Sequence, residues 1–185
     1  MADTGAQTEA GASAFTTFIE SQPGASGGVS HHHALALQVQ YDLQYQHDWT
    51  AIKLHTHSGT STSSGAGLLP RPLLSGLPAH HVYIHPDEQA DILKQGLTEK
   101  DVSVEEEWVL PTHLRERWTL RRFAEVFDAI EEAPPEREAQ RGPTERKSYQ
   151  RTRKRGKRLL MAVVNDDSTI VYYIIHDGIV KPRQN

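Results

Sequence analysis

Residues 157–182 read KRLLMAVVNDDSTIVYYIIHDGIVKP, two dense hydrophobic segments joined by an acidic turn. Leu159 to Val164 is an unbroken apolar run, which is typical of a strand buried on both faces and predicts a central position in a sheet. After the turn, successive residues of 170–176 alternate between the two faces of a second strand, and both faces are again largely apolar. Because a large exposed apolar surface usually marks an interface, we expect another polypeptide to cover part of this hairpin.

Composition limits what the rest of the chain can be. A length of 185 residues predicts one domain with a sizeable core. The absence of cysteine excludes disulfides, thiolate nucleophiles and cysteine-based zinc sites. No apolar run approaches the roughly twenty residues that a membrane span needs, so we expect no membrane partner. Residues 1–30, rich in Ala, Gly, Ser, Thr and Gln, are predicted to be a disordered tail with one small apolar motif at Phe15, Phe18 and Ile19.

Residues 34–47 satisfy two periodicities at once. Their large apolar side chains alternate strictly, which favours a strand. They also form two i, i+4 rows, which are Leu35, Val39, Leu43 and Leu37, Tyr41, Tyr45. Ala, Leu and Gln are good helix formers, and Ser30 could serve as a distant N-cap. The residues alone leave strand and helix open.

Further elements follow along the chain. Residues 49–57 and His80 to His85 are predicted to be a strand pair, separated by a flexible insertion at about 58–78 that is rich in Ser, Gly, Leu and Pro. A modest strand is predicted from Val104 to Leu110, ended by Pro111. A second flexible insertion, at about 133–156, holds prolines and charges with almost no apolar residues.

Two more helices have clear end signals. Pro86 followed by two acidic residues marks a helix start, and Gly96 marks its end. A second helix is predicted from Thr119, and its apolar positions are Leu120, Phe123, Phe127 and Ile130. Arg121 and Glu125 are spaced to form an ion pair on its solvent side. After the Asp177, Gly178 turn we expect a third short terminal strand.

Three segments together resemble a known family. They are ALQVQYDLQYQHDWTAI (36–52), EEWVLPTHLRERWTLRRFAEVFDAI (106–130) and NDDSTIVYYIIHDG (165–178). They are similar to the small accessory subunit, of Sen-fifteen type, of the eukaryotic tRNA-splicing endonuclease, in patches over roughly 34–181. The resemblance favours helix for 34–47. It implies an α+β, restriction-endonuclease-like domain over residues 31–185, with a mixed sheet flanked by helices and a closing hairpin.

The same resemblance implies a structural role in a heterotetramer that removes introns from pre-tRNA. Such subunits pair with a catalytic subunit through their last strands. Their acidic turn, here Asp166 and Asp167, docks into a basic groove of the opposing heterodimer. The partner-docking residues predicted on the strand are Ile170, Tyr172, Tyr173 and Ile174. The plainer alternatives are an ordinary tight turn and an ordinary core hairpin.

A basic block stands out from the formal net charge of −4. Arg146 to Arg158 holds eight Lys or Arg among thirteen residues and no acid. We expect RNA phosphate contact or nuclear import from this block, and name Arg151, Arg153, Lys154, Arg155 and Lys157. A solvated loop is the plain alternative. The expected location is the nucleus, with the cytoplasm or the mitochondrial outer surface as alternatives.

Catalytic chemistry is not predicted for this chain. Active subunits of the family use a Tyr, a His and a Lys without metal and leave a 2′,3′-cyclic phosphate, and we expect this chain to lack that set. One alternative is a free-standing, metal-independent ribonuclease that uses His113 or His176 with Lys157. Another is a metal-binding protein; its candidate ligands are His55, His57, His81 and His85. The leading hypothesis includes neither a metal nor a cofactor.

Overall fold

One mixed β-sheet with helices on both faces makes up the fold, which confirms the predicted α+β class. The computed structural model describes residues 17–18, 30–57, 68–134 and 156–178. The helices of the described domain are α1 (His31–Tyr45), α2 (Pro86–Lys94) and α3 (Leu120–Ala129), with a short 3-10 turn at Glu99–Asp101. The strands are β1 (Thr50–His57), β2 (Leu68–Leu77), β3 (Glu107–His113), β4 (Arg158–Val164) and β5 (Ile170–His176).

The five strands follow the order β1-β2-β3-β4-β5 across the sheet. Strands β3 and β4 run parallel and are joined by a crossover that contains α3, while the other neighbours are antiparallel. Strand β4 therefore has a partner on each side, as its apolar run predicts, and β5 is the last strand of the described sheet.

Alternation along the inner strands divides the core into two layers. On β4, Leu160, Ala162 and Val164 face the layer beneath α1. Leu159 and Met161 face the layer beneath α3. Helix α1 contributes its row Leu35, Val39 and Leu43 to the first layer, and α3 contributes Val126 and Phe127 to the second. The two helices thus cover opposite faces of the sheet.

Each helix begins at a residue whose side chain caps it. Ser30 and Thr119 accept hydrogen bonds from backbone N–H groups of the first turns of α1 and α3, and His85 does the same for α2. Gly96, at φ 70°, follows the end of α2 in a left-handed conformation that favours glycine. One apolar prediction for α3 is wrong, because the side chain of Leu120 is exposed at the first position of the helix.

The partner of β1 is not the predicted segment His80–His85, which is irregular. Strand β2 takes that place, within the segment that was predicted to be a flexible insertion. Its Pro and Gly residues misled the prediction. Gly76 makes room for close packing, because a Cβ there would lie 3.1 Å from side-chain atoms of both Trp49 and Ile52, and these side chains would have to shift.

Strand β3 also differs from its prediction, because it runs through Pro111 to His113. The backbone N–H of Leu114 donates to Val164 O, and that of His113 donates to the Glu116 side chain. By alternation, the nitrogen of Pro111 faces away from β4, on the side where pairing with β2 has already stopped at Val109. The missing N–H of proline therefore costs no ladder hydrogen bond.

Several predictions lie partly or wholly outside the described residues. These are most of the tail 1–30, residues 58–67, the larger part of the insertion at 133–156 and the strand expected after Gly178. In the part of the chain that is described, no helix combines the length and apolar character needed to cross a membrane.

Candidate functional site

The terminal hairpin β4–β5 presents two different faces. Ile170, Tyr172 and Ile174 pack against the core layer beneath α1. On the opposite face Val171 is 45% exposed and Tyr173 53% exposed, although both are large and apolar or aromatic. Ile175, farther along β5, packs against the layer beneath α3. The covered part of the outward face therefore ends at Ile175, and the part nearest the turn is open.

The open part continues onto β4. Register pairs Val163 with Val171 and Met161 with Tyr173, so these four side chains share the outward face. Val163 and Met161 are only partly buried. In the described sheet no strand pairs with the far side of β5, which leaves a row of main-chain donors and acceptors along that edge. We call the edge and these four residues the hairpin surface.

Tyr172 joins β5 to α1 inside the domain. Its hydroxyl donates a 2.6 Å hydrogen bond to Asp42 Oδ2 on α1. Burial raises the pKa of the Tyr172 phenol well above its ordinary value, and the Asp42 carboxylate beside it raises it further. Of the predicted docking residues on β5, only Tyr173 has its side chain on the hairpin surface. Ile170, Tyr172 and Ile174 lie on the inner face.

Local hydrogen bonds shape the acidic turn. The backbone N–H of Asn165 donates to Thr169 O at 2.9 Å, and the N–H of Ser168 donates to Asn165 O at 3.0 Å. Within this turn Ser168 takes the left-handed conformation, at φ 67°. The turn is therefore built by its own backbone and side chains.

The two predicted docking aspartates of this turn differ in their surroundings. Asp166 contacts the guanidinium of Arg115 and lies 3.2 Å from His113 Nε2. His113 Nδ1 accepts the backbone N–H of Arg115, so Nε2 bears the proton that points at Asp166. The Asp167 carboxylate accepts the backbone N–H of Thr169, whose hydrogen bonds lower the pKa of Asp167. Asp167 is fully exposed and ionised, whereas Asp166 is tied to the end of β3.

Beneath the turn lies a charged hub that the sequence analysis did not find. Glu116 accepts two hydrogen bonds from the buried Arg71, at 2.8 and 3.2 Å, and one from the backbone N–H of His113 at 3.0 Å. Arg122 reaches the same carboxylate at 3.5 Å. Burial alone would raise the pKa of Glu116, but these hydrogen bonds and the charge of Arg71 lower it to about 2. The hub joins β2, β3 and α3.

Two residues of the predicted basic block have structural contacts. Lys157 Nζ donates to Phe127 O at 2.8 Å, near the carboxyl end of α3. Arg158 forms a buried ion pair with Glu107 on β3, at 2.5 Å. Arg158 also bonds Tyr83 O at 3.4 Å and lies 5.8 Å from the centre of the Tyr83 ring. The other predicted contacts, Arg151, Arg153, Lys154 and Arg155, lie outside the described residues.

The groups of the ribonuclease alternative do not converge. His113 ends β3 beside Val164, at the opposite end of β4 from Lys157. Seven strand residues separate those ends by roughly 20 Å. His176 is paired with Arg158, so alternation puts the side chain of Lys157 on the other face of the sheet. Neither histidine therefore lies where it could act on the same phosphate group as Lys157.

The histidines of the metal alternative have separate partners. His55 Nε2 lies 2.8 Å from Ser75 Oγ, and burial followed by the charge of Lys53 lowers the pKa of His55. His81 Nε2 lies 3.2 Å from Val102 O, and His85 caps α2. Among the described residues there is no group of three or more His, Asp or Glu positioned to hold a metal ion.

Comparison with known proteins gives consistent matches. The model of the Sen15 protein family matches residues 38–185. A Neurospora crassa protein named "Probable tRNA-splicing endonuclease subunit tsp-1" is 46% identical over 160 residues, which cover 84% of this chain and 67% of that protein. A Schizosaccharomyces pombe protein named "Probable tRNA-splicing endonuclease subunit sen15" is 30% identical over 149 residues, 80% of each chain.

Proposed function

The chain belongs to the Sen15 protein family, and from that premise we propose that it is the non-catalytic structural subunit of a tRNA-splicing endonuclease. It pairs strand to strand with a catalytic subunit, and its acidic turn helps to hold two heterodimers together. The named relatives are subunits of such an endonuclease, so the partners of this chain are its other catalytic and structural subunits. Pre-tRNA reaches this chain only through the complex.

The hairpin surface is the observation that carries this proposal. Neither α1 nor α3 covers Val171 and Tyr173, and the described sheet has no strand beyond β5. A partner strand added to β5 would satisfy the main-chain row, while partner side chains would cover the open apolar face. A tyrosine suits such a surface because its hydroxyl can remain hydrated at the rim.

The two aspartates of the acidic turn have different roles in this proposal. Asp167 provides the exposed charge for a basic groove on the opposing heterodimer, because no described cation neutralises it. Asp166 positions the turn through His113 and Arg115. Charges at such a contact chiefly set register and partner choice.

A non-catalytic role fits the separation of His113, His176 and Lys157. In a reconstituted complex, His176→Ala should leave pre-tRNA cleavage unchanged, and the purified single chain should cut no pre-tRNA. Cleavage by the single chain that His176→Ala abolishes would instead support the ribonuclease alternative.

The basic block completes the proposal. We assign it nuclear import with weak, sequence-independent contact to tRNA phosphates. Replacing Arg151, Arg153, Lys154 and Arg155 by Gln should shift a fluorescently tagged chain from nucleus to cytoplasm. The same change should weaken a salt-dependent binding of pre-tRNA to the complex. An unchanged nuclear signal would overturn the import role.

Native mass measurement of the complex tests the two contacts separately. Val171→Lys with Tyr173→Lys should release the chain from its near partner, because two charges would have to be buried at the pairing face. Asp166→Lys with Asp167→Lys should leave heterodimers that no longer join. Leu93→Lys is the matched control, since Leu93 is an exposed apolar residue on α2, away from the hairpin surface. An intact tetramer with the Val171, Tyr173 variant would refute the docking role of the hairpin surface. An intact tetramer with the Asp166, Asp167 variant would refute the docking role of the turn.

A further inference from the structure

Helix α1 has two apolar stripes on opposite sides. The row Leu35, Val39, Leu43 packs on the sheet. The row Leu37, Tyr41, Tyr45 starts two positions later, which on an α-helix is about 200° of rotation. This second row, which we call the outer stripe, therefore points away from the sheet. A helix that is apolar on two sides needs cover on both.

The outer stripe is covered to different degrees along its length. Leu37 is buried, yet it belongs to neither of the core layers formed by the described residues. Tyr41 is half-buried and Tyr45 is exposed. The cover of this stripe is therefore separate from the core, and it is incomplete at the carboxyl end of the helix.

Phe18 lies on this stripe. Its ring is 5.3 Å from that of Tyr41 at an interplanar angle of 70°, and 6.2 Å from that of Tyr45 at 88°. The two tyrosine rings are themselves 4.7 Å apart. Edge-to-face contacts at such distances are the favourable arrangement of aromatic pairs. Thr17 and Phe18 are described in helical conformation.

We propose that the outer stripe of α1 is an intramolecular docking site, and that its occupant is Phe18 of the same chain. In sequence, Phe18 belongs to a short apolar motif within an otherwise polar segment, and the stripe is the part of α1 that the sheet does not cover. Each supplies what the other lacks.

Chain length permits docking within one molecule. Helix α1 has 15 residues and is about 22 Å long. The eleven residues between Phe18 and Ser30 can reach at most about 36–40 Å, which exceeds the helix length. Closing a loop of this size costs little entropy compared with bringing two chains together. The same chain is therefore favoured over a second copy.

Hydrogen exchange of the full chain, followed by mass spectrometry of peptides that span residues 14–20, tests the proposal. Wild type should show slowed exchange in these peptides. Phe18→Ala should speed it by about fivefold or more, since two aromatic contacts are lost. Tyr41→Ala with Tyr45→Ala should have the same effect on peptides 14–20, although the substituted residues lie elsewhere in the chain. Gln44→Ala, an exposed neighbour on α1, is the matched control and should change nothing.

Three results would overturn the proposal. The first is exchange in wild type at the rate of an unstructured peptide. The second is an exchange rate in peptides 14–20 that Phe18→Ala leaves unchanged. Because Phe18 lies outside both core layers, this variant tests the proposal even if the double tyrosine variant does not fold. The third is protection that rises with protein concentration, which would show docking between two copies. None of these depends on the endonuclease role.

Discussion

At the scale of single residues, the partly buried carboxylate of Glu116 links stability to pH. Its folded-state pKa of about 2 lies below its ordinary value of 4.5, so its contribution is full above pH 4.5 and is lost as pH falls towards 2. We expect this contribution to be of the order of 2 kcal/mol, less than the full shift because the group is not completely buried.

The corresponding variant is Glu116→Gln, followed by urea unfolding between pH 3 and pH 7. It should lower the free energy of unfolding at pH 7 by about 2–4 kcal/mol, because Arg71 would be left buried and unpaired. It should also flatten the loss of stability below pH 4.5. Glu125 forms an exposed ion pair with Arg121 on α3, and Glu125→Gln should change the free energy of unfolding by only about a few tenths of a kcal/mol at either end of the pH range. Parallel pH curves for wild type and Glu116→Gln would contradict the assignment.

Adjacent tyrosines offer a matched pair of substitutions. Tyr172→Phe removes the hydrogen bond to Asp42 and should cost about 1–3 kcal/mol in unfolding free energy. Tyr173→Phe should stay within about 0.5 kcal/mol, because that side chain is half exposed. Chemical denaturation of the isolated chain measures both. A greater loss with Tyr173→Phe than with Tyr172→Phe would mean that the inner and outward faces of β5 have been interchanged, and equal effects would contradict the role of the Asp42 hydrogen bond.

Residue contacts were the least predictable part of the site. Arg71 and Glu116 are 45 positions apart, and each reads as an ordinary surface charge until the fold brings them together. Asp166 and Arg115 are likewise distant in sequence and are brought together only by the fold. For β5 the alternation was readable, but both faces are apolar, so the pattern could not show which one α1 would cover. The predicted docking set therefore mixed residues of both faces.

At the scale of elements, the β4–β5 hairpin depends on one left-handed residue. Ser168→Val should destabilise the chain by about 1–2 kcal/mol, because a β-branched side chain is strained at φ 67°. Ser168→Gly should be neutral or slightly stabilising, since glycine adopts this conformation freely. Thermal unfolding of the two variants checks the sign. A stabilising valine would show that the turn has another conformation in solution.

Elements with strong local signals were predicted and those with mixed signals were not. Helix α3 has a clear cap and one apolar row, so it was recovered from pattern. The pattern of α1 fitted a strand as well as a helix, and only the family resemblance favoured the helix. Strand β2 was missed because LLPRPLLSGL contains the residues that usually mark loops. Its prolines and Gly76 are tolerated for tertiary reasons, above all the close packing of Trp49, and such reasons cannot be read from local composition.

At the scale of the whole molecule, the class of fold followed from the family resemblance of the three quoted segments, and the apolar hairpin and the helical signal of α3 agreed with it. The strand order did not, because β2 was absent from the prediction and the parallel pairing of β3 with β4 depends on a long crossover. What the sequence did indicate was an excess of apolar area at its carboxyl end. That excess lies on one face and one edge of β5.

An isolated chain with this open edge should associate with itself. Unpaired strands and exposed apolar side chains favour pairing with any available copy, so we expect concentration-dependent sedimentation of the purified chain in the micromolar range. Val171→Lys with Tyr173→Lys should give a monomer without loss of unfolding cooperativity, because charges on an edge strand oppose edge pairing. Leu93→Lys should leave the association unchanged. A catalytic subunit that pairs with β5 should compete with self-association. The hairpin surface would not be the pairing edge if the wild-type chain stayed monomeric at all concentrations. The same conclusion would follow if two copies remained joined when the catalytic subunit binds.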